Sequence, residues 1–131
     1  MIVDTSALVA VIRGGDDAAE FVSVVRQAHR SRISAGNYLE AGIVIDRKRD
    51  AAASRRLDTL LSAMRMEVAP VTSAQASIAR QAYRDFGKAS GHPARLNFGD
   101  CFAYALAIDT DEPLLFKGDD FMHTDVRVAD R

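Results

Sequence analysis

The chain has 131 residues and little of several residue types, and each shortage excludes a class of protein. One cysteine, Cys101, cannot form an internal disulfide, which excludes a disulfide-stapled secreted domain and fits a reducing compartment. Three prolines and eight glycines are too few for a fibrous or low-complexity chain. A formal net charge of −1 argues against a generic polycationic nucleic-acid binder but leaves a local basic face open.

Long apolar runs are also missing. No uncharged stretch approaches the roughly 18 residues that a membrane-spanning helix requires. Asp4 interrupts the apolar start of the chain, and no basic leader precedes it as in a signal peptide. We therefore expect a cytoplasmic protein without a membrane partner. The length suits one compact domain over residues 1–131.

Short apolar segments alternate with segments of helical periodicity. Strands are expected at Met1–Asp4, Arg32–Ala35, Glu67–Pro70, Leu114–Phe116 and Val126–Val128. Helices are expected at Ser6–Arg13, Asp16–Arg30, Asn37–Arg49, Ala51–Met66, Ser73–Phe86 and Phe98–Ile108, and a flexible loop at Gly87–Arg95. The alternation predicts an α/β fold, a three-layer α/β/α sandwich around a short-stranded, mainly parallel central sheet.

Five acidic residues lie in or beside apolar segments, where a carboxylate is costly unless a positive charge compensates it. They are Asp4, Glu40, Asp100, Asp119 and Asp120. No lysine or arginine lies in the apolar segments that surround the first three. A shared divalent cation is the economical way to hold such acids together, so the pattern predicts metal-dependent chemistry.

The positions of these acids favour a common site. Asp4 ends the first predicted strand and Asp119–Asp120 follow the fourth, and functional groups gather at the carboxyl ends of parallel strands. Glu40 has Ile43 and Val44 three and four residues later, so we expect it on the inward face of its helix. Asp100 occupies the first turn of its own helix.

Most of these acids also have a plain structural interpretation. Asp4 and Asp100 can cap or complement the helices that begin beside them, the latter in a capping box with Asn97. Asp119–Asp120 resemble a turn. Glu40 lies in mid-helix, where capping is impossible. The conjunction of all of them favours a functional site.

The donor chemistry indicates Mg²⁺, with Mn²⁺ as the alternative ion, because both prefer oxygen ligands. Zinc is disfavoured, since the three histidines are scattered and only one thiol exists. The acids together could hold one or two ions, which activate water for attack on a phosphodiester. Thr5 or Ser6 could fix the Asp4 carboxylate by a hydrogen bond, or could simply begin the helix.

Several blocks of the sequence resemble PIN-domain ribonucleases, and most closely the VapC toxins of bacterial toxin–antitoxin pairs. These blocks are Met1–Leu8, Ser34–Glu40, Asn97-Phe98-Gly99-Asp100 and Lys117-Gly118-Asp119-Asp120-Phe121. The resemblance covers essentially the whole chain in the family's order and spacing.

The resemblance implies direct metal ligation by Asp4 and Asp100, with Glu40 in the same acidic pocket. It favours Asp120 over Asp119 as the fourth acid, because the family often has Gly-Asn-Asp-Phe here; both stay candidates. It further implies magnesium-dependent endonucleolytic cleavage of RNA, often tRNA or ribosomal RNA. A homodimer and a cognate antitoxin that inserts a segment at the acidic pocket are implied as well.

Basic residues near these blocks are candidates for holding the RNA backbone without reading its sequence. Lys88 and Arg95 lie in the glycine-rich loop that leads into the Asp100 helix, and Lys117 precedes the last acidic pair.

Three other functions compete with this interpretation. An aspartate-nucleophile phosphatase usually has a second Asp two residues after the nucleophile, where Ser6 stands. A receiver-like signalling domain needs a phospho-accepting Asp at the end of its central strand, and Val68-Ala69-Pro70 offers none. A catalytically silent PIN-like binding module differs from the ribonuclease only in activity.

Overall fold

The computed structural model describes residues 1–131 and contains four β-strands, six α-helices and two 3-10 helices. The strands are β1 (Ile2–Val3), β2 (Arg32–Ser34), β3 (Glu67–Ala69) and β4 (Leu114–Leu115). The α-helices are α1 (Thr5–Arg13), α2 (Ala18–Gln27), α3 (Ala35–Asp46), α4 (Ala51–Ala63), α5 (Ser73–Phe86) and α6 (Phe98–Thr110). The 3-10 helices span Lys88–Ser90 and Asp120–His123.

The four strands form one parallel sheet in the order β3-β2-β1-β4. Ile2 and Val3 pair with Leu114 and Leu115, and the Asp4 amide donates to the Leu115 carbonyl at 2.9 Å. The chain winds from β1 toward β3 and then returns to the other side of β1. The crevice of such a sheet opens where the winding reverses, at the carboxyl ends of β1 and β4.

Alternate side chains of the central strands enter two separate cores, because successive residues of a strand point to opposite faces. Val3 and Leu115 pack with residues of α1 to α4, whereas Ile2 and Leu114 pack with residues of α5 and α6. The predicted α/β/α sandwich with a parallel sheet is confirmed. No helix combines the length and the apolar character needed to cross a membrane.

Five helices begin at a residue whose side chain accepts a hydrogen bond from the first turn of the helix. These residues are Asp4, Ser34, Asp50, Thr72 and Asn97. Such caps satisfy backbone amides that have no partner within the helix. Two of the five caps, at α1 and α6, lie beside the crevice and position acidic side chains there.

The structure corrects several local predictions. The last predicted strand, Val126–Val128, is reduced to a single bridge between Val128 and Leu114. The predicted loop Gly87–Arg95 contains a 3-10 helix and is closed by backbone hydrogen bonds between its two ends. The helix predicted to reach Met66 ends at Ala63, and Arg65 just beyond it adopts a left-handed φ of 49°.

Candidate active site

Asp4 lies at the carboxyl end of β1 and is only 2% exposed. Its Oδ2 accepts hydrogen bonds from the Ser6 amide at 2.8 Å and the Ser6 hydroxyl at 2.6 Å. Its Oδ1 is buried and has no hydrogen-bond partner. Burial raises the pKa of Asp4 to about 6, although the bonds from Ser6 act in the opposite direction. One oxygen therefore caps α1 while the other is a buried acceptor without a donor.

Asp100 forms the predicted capping box at the start of α6. Its amide donates to Asn97 Oδ1, and its Oδ2 accepts from the Asn97 amide, both at 2.9 Å. Burial raises the pKa of Asp100 to about 7, with further contributions from the negative charges of Asp4, Asp120 and Glu40. The Asn97 amide bond opposes this shift. The negative charges of the other three carboxylates therefore act on Asp100.

Glu40 reaches the same region from α3, where it is half-buried. Its carboxylate lies directly against Gly99 of α6, so closely that a Cβ at Gly99 would overlap it. The expectation that Ile43 shares its inward face is wrong, because Ile43 is 57% exposed. The core face of α3 instead consists of Asn37, Ala41 and Ile45. Glu40 therefore lies at the edge of that face, beside α6.

Three of the five acids line one cavity of about 510 Å³. Its lining includes Asp4, Glu40 and Asp100, together with Thr5, Ser6, Asn97, Arg13 and Lys117. Sequence reasoning thus named residues that the fold brings to one crevice from β1, α3 and α6. No cationic side chain forms a hydrogen bond or an ion pair with these three carboxylates.

Neither of the two candidates for the fourth acid lines the cavity. Asp120 is exposed at the start of the 3-10 helix, yet its charge raises the pKa of Asp100. Asp119 precedes that helix, and its carbonyl accepts from the Met122 amide at 3.0 Å.

Two residues that sequence reasoning missed hold the walls of the cavity together. Asn37 is fully buried; its side-chain amide donates to the Gly99 carbonyl at 2.9 Å, and its backbone carbonyl accepts from Thr5 Oγ1 at 3.2 Å. Asn37 therefore ties α3 to both α1 and α6, while Gly99 permits the close approach of Glu40. The available signal was a glycine in the first turn of an apolar helix, where it is destabilising unless close packing requires it.

The predicted basic contacts divide into three cases. Lys117 lines the cavity; its amide donates to Ser6 Oγ at 2.9 Å, and its ammonium pairs with Asp17 at 3.3 Å. Lys88 lies in a different, apolar pocket that shares the wall residue Asn97. Arg95 is exposed and lines neither of these two cavities.

The donor set suits a divalent cation bound partly through water. No group of three or more His, Cys, Asp or Glu side chains is close enough to enclose a metal ion. Mg²⁺ does not require such a cage, since it keeps several waters and binds one or two carboxylates directly. The unpartnered Asp4 Oδ1 is the oxygen that such an ion would satisfy.

Comparison with known proteins gives the family. A family model for the PIN domain matches residues 1–127. Over 129 residues the chain is 57% identical to Ribonuclease VapC28 of Mycobacterium tuberculosis, which covers 98% of this chain and 97% of that protein. It is 50% identical to Ribonuclease VapC42 of the same species over 98% of each chain. The chain belongs to the VapC ribonucleases of the PIN-domain family.

Solved VapC structures share the fold at low sequence identity. A VapBC2 structure from Rickettsia felis gives a TM-score of 0.77 at 16% identity and covers 97% of this chain and 94% of that chain. VapC20 of M. tuberculosis gives 0.72 at 16% identity, with 95% of each chain covered. Its relatives at 57% and 50% identity are named ribonucleases, so the chain is a ribonuclease by family, and the VapC ribonucleases are metal-dependent enzymes.

Proposed function

We propose that this VapC ribonuclease is the Mg²⁺-dependent endoribonuclease toxin of a toxin–antitoxin pair, with tRNA or ribosomal RNA as its substrate. The observation that carries the proposal is the buried Asp4 Oδ1, which has no donor in a cavity that Glu40 and Asp100 also line. A buried carboxylate oxygen without a donor, with two further carboxylates in the same cavity, forms a site that a divalent cation stabilises. Mn²⁺ is the alternative ion.

Each residue has a defined task in this mechanism. Asp4 and Asp100 would hold the ion through the oxygens that their helix caps leave free, and Ser6 keeps Asp4 oriented, whereas the Thr5 hydroxyl donates to the Asn37 carbonyl. Glu40 orients the attacking water and accepts its proton. A Mg²⁺ held there would supply an activated water and would neutralise the charge that develops on the phosphodiester. Asp120 adds negative charge that acts on Asp100, and Lys117 positions the phosphate.

The proposed protein partner is a cognate antitoxin. The similar solved structures include VapBC2 from Rickettsia felis bound to a promoter DNA fragment and a toxin–antitoxin complex from Klebsiella pneumoniae. The TM-scores of these two structures are 0.77 and 0.70. In our proposal, the antitoxin inhibits this chain by placing a segment at the acidic cavity.

We also propose that the chain forms a homodimer through a groove between α3 and α4. Leu39 and Ile43 are 63% and 57% exposed there, which is unfavourable for apolar side chains in a monomer. The groove also contains charges of both signs, from Asp46, Arg47, Arg49 and Asp58. A patch that carries both signs can pair with its own copy across a two-fold axis.

The test of the ribonuclease proposal is cleavage of RNA by purified Asp4→Asn and Asp100→Asn variants in Mg²⁺. We expect each variant to lose cleavage by roughly a hundredfold or more, because the remaining amide cannot hold the cation as a carboxylate does. Asp130→Asn is the matched control, since this exposed carboxylate lies with Met1 and Pro113 beside the amino ends of β1 and β4, opposite the crevice. Full activity of both site variants, with contaminating nuclease excluded, would refute the proposal.

A further inference from the structure

A second cavity, of about 560 Å³, lies between α5 and α6. It is lined mainly by apolar side chains, and the residues that bear on its function are Arg80, Tyr83, Lys88, Asn97, Phe98 and Phe102. Neither the proposed catalytic mechanism nor the proposed dimer uses this cavity. We refer to it as the aromatic pocket.

The aromatic pocket presents a fixed and exposed ring. Phe98 is 79% exposed, the largest exposure of any large apolar side chain in the structure. It packs edge-to-face against Phe102, with ring centroids 4.9 Å apart and an interplanar angle of 85°. Phe102 in turn packs on Gly36 so tightly that a Cβ there would lie 2.6 Å from the ring. A ring held in place but left open to solvent is suited to stacking with a ligand.

The aromatic pocket adjoins the acidic cavity. Asn97 lines both of them and caps α6 between them. Phe98 and Asp100 are two residues apart on α6, which places them about 200° apart around the helix axis. The two sites therefore flank the N-terminus of one helix, separated by about the 10 Å diameter of that helix. A single strand that crosses this N-terminus can occupy both.

The charges of the aromatic pocket select its occupant. Arg80 and Lys88 are exposed on its rim and form no ion pair or side-chain hydrogen bond, and no acidic residue lines it. This differs from the groove between α3 and α4, where Asp46 and Asp58 accompany two arginines. A lining with cations alone is complementary to a polyanion, whereas two copies of it would repel each other.

We infer that the aromatic pocket binds an unpaired base of the RNA substrate close to the scissile phosphate. The base stacks on Phe98 and Tyr83, while Arg80 and Lys88 contact the flanking phosphates. Proteins recognise single-stranded RNA in this way, by aromatic stacking within a positively charged groove. The inference rests on the proposed function, because it assigns a second contact to the same RNA.

The test separates RNA binding from cleavage. Binding of an end-labelled, single-stranded RNA of mixed sequence is measured by fluorescence anisotropy in the Asp4→Asn background, in which we expect cleavage to be slower by roughly a hundredfold or more. Phe98→Leu keeps an apolar side chain but removes the aromatic ring, and Phe98→Trp keeps an aromatic face. Val68→Ala serves as the control, since Val68 is 45% exposed on the edge strand β3 and lines neither cavity.

We expect Phe98→Leu to weaken RNA binding by about tenfold, the loss of one stacked base, while Phe98→Trp and Val68→Ala stay within about twofold of the parent. An RNA that carries a fluorescent base analogue should be quenched on binding by the parent but not by Phe98→Leu. Arg80→Gln combined with Lys88→Gln should weaken binding and reduce its dependence on salt concentration.

Two results would overturn the inference while the proposed function stands. One is an unchanged RNA affinity of Phe98→Leu in a protein whose wild-type form cleaves RNA. The other is a change in oligomeric state, measured by light scattering, that accounts for the whole effect of Phe98→Leu, which would make the pocket a contact between copies. Absence of both RNA binding and cleavage by the wild-type protein would instead remove the proposed function and this inference together.

Discussion

At the scale of single residues, the carboxylates of Asp4 and Asp100 each serve two purposes. Each uses its Oδ2 to accept hydrogen bonds in the cap of a helix. In Asp4 the Oδ1 that remains is buried without a donor, and in Asp100 the Oδ1 makes no hydrogen bond. The structural interpretation of these acids as caps is therefore confirmed, and it does not exclude the functional one. The cap fixes the carboxylate in the orientation that the cavity needs.

Gly99 gives a prediction at this scale. A Cβ at this position would overlap the Glu40 carboxylate, so Gly99→Ala should displace Glu40 and lower RNA cleavage by about tenfold or more. The matched control is Gly42→Ala on α3, where the added Cβ would meet only Asp46 Oδ2, at 3.9 Å. We expect Gly42→Ala to retain activity within about twofold and to stabilise its helix by up to about 1 kcal/mol. Equal activity of the two variants would show that the position of Glu40 does not matter.

At the scale of elements, the N-terminal caps show what sequence reveals about helix boundaries. Asn97 and Asp100 are spaced as a capping box, and the structure contains that box. The direction of Glu40 was harder to predict, because α3 is apolar on most sides and Ile43, on its exposed side, looks no different from Ile45 in the core. The strand at Val126–Val128 was overpredicted because β-branched residues also suit a segment that makes only one bridge.

The caps of α6 and α4 provide a matched pair of substitutions. Asn97→Ala removes the cap that also bonds Asp100, whereas Asp50→Ala removes a cap whose side chain accepts only from the Ala52 and Ala53 amides. Each should lower the free energy of unfolding by about 1 kcal/mol. Only Asn97→Ala should also reduce RNA cleavage, by several-fold, because the first turn of α6, which carries Asp100, loses the side chain that accepts from the Asp100 amide, while the backbone amide of residue 97 still donates to Asp100 Oδ2. A similar loss of cleavage in both variants would mean that general stability, not the position of Asp100, governs activity.

At the scale of the whole molecule, the sequence predicted the layers and the parallel sheet but not the order of its strands. That order places β1 between β2 and β4, and so brings Asp4 beside the segment that carries Asp120. The buried contact of Asn37 with Gly99 joins residues 62 positions apart, and no local pattern indicates it. Helical and strand periodicity reports which face of an element is buried, whereas contacts of this kind depend on how the elements pack together.

The same packing makes stability depend on pH when no metal is bound. Asp4 and Asp100 have folded-state pKa values of about 6 and about 7, both above the ordinary 3.8. The folded state therefore binds more protons than the unfolded state between about pH 4 and pH 7. The stability that this provides is fully present below pH 4 and is lost as the pH rises through 6 and 7. For Asp4 alone, the rise of the pKa from 3.8 to about 6 corresponds to about 3 kcal/mol.

The most direct measurement is the Tm of the wild-type protein and of Asp4→Asn, in EDTA and in Mg²⁺, at pH 5 and pH 8. At pH 8 both site carboxylates are ionised, so we expect Mg²⁺ to raise the wild-type Tm by several degrees; at pH 5, where protons compete, the rise should be small. In EDTA at pH 8, Asp4→Asn should melt no lower than the wild type and should gain little from Mg²⁺. An equal response of the two proteins to Mg²⁺, or none in the wild type at pH 8, would contradict a cation site built on Asp4.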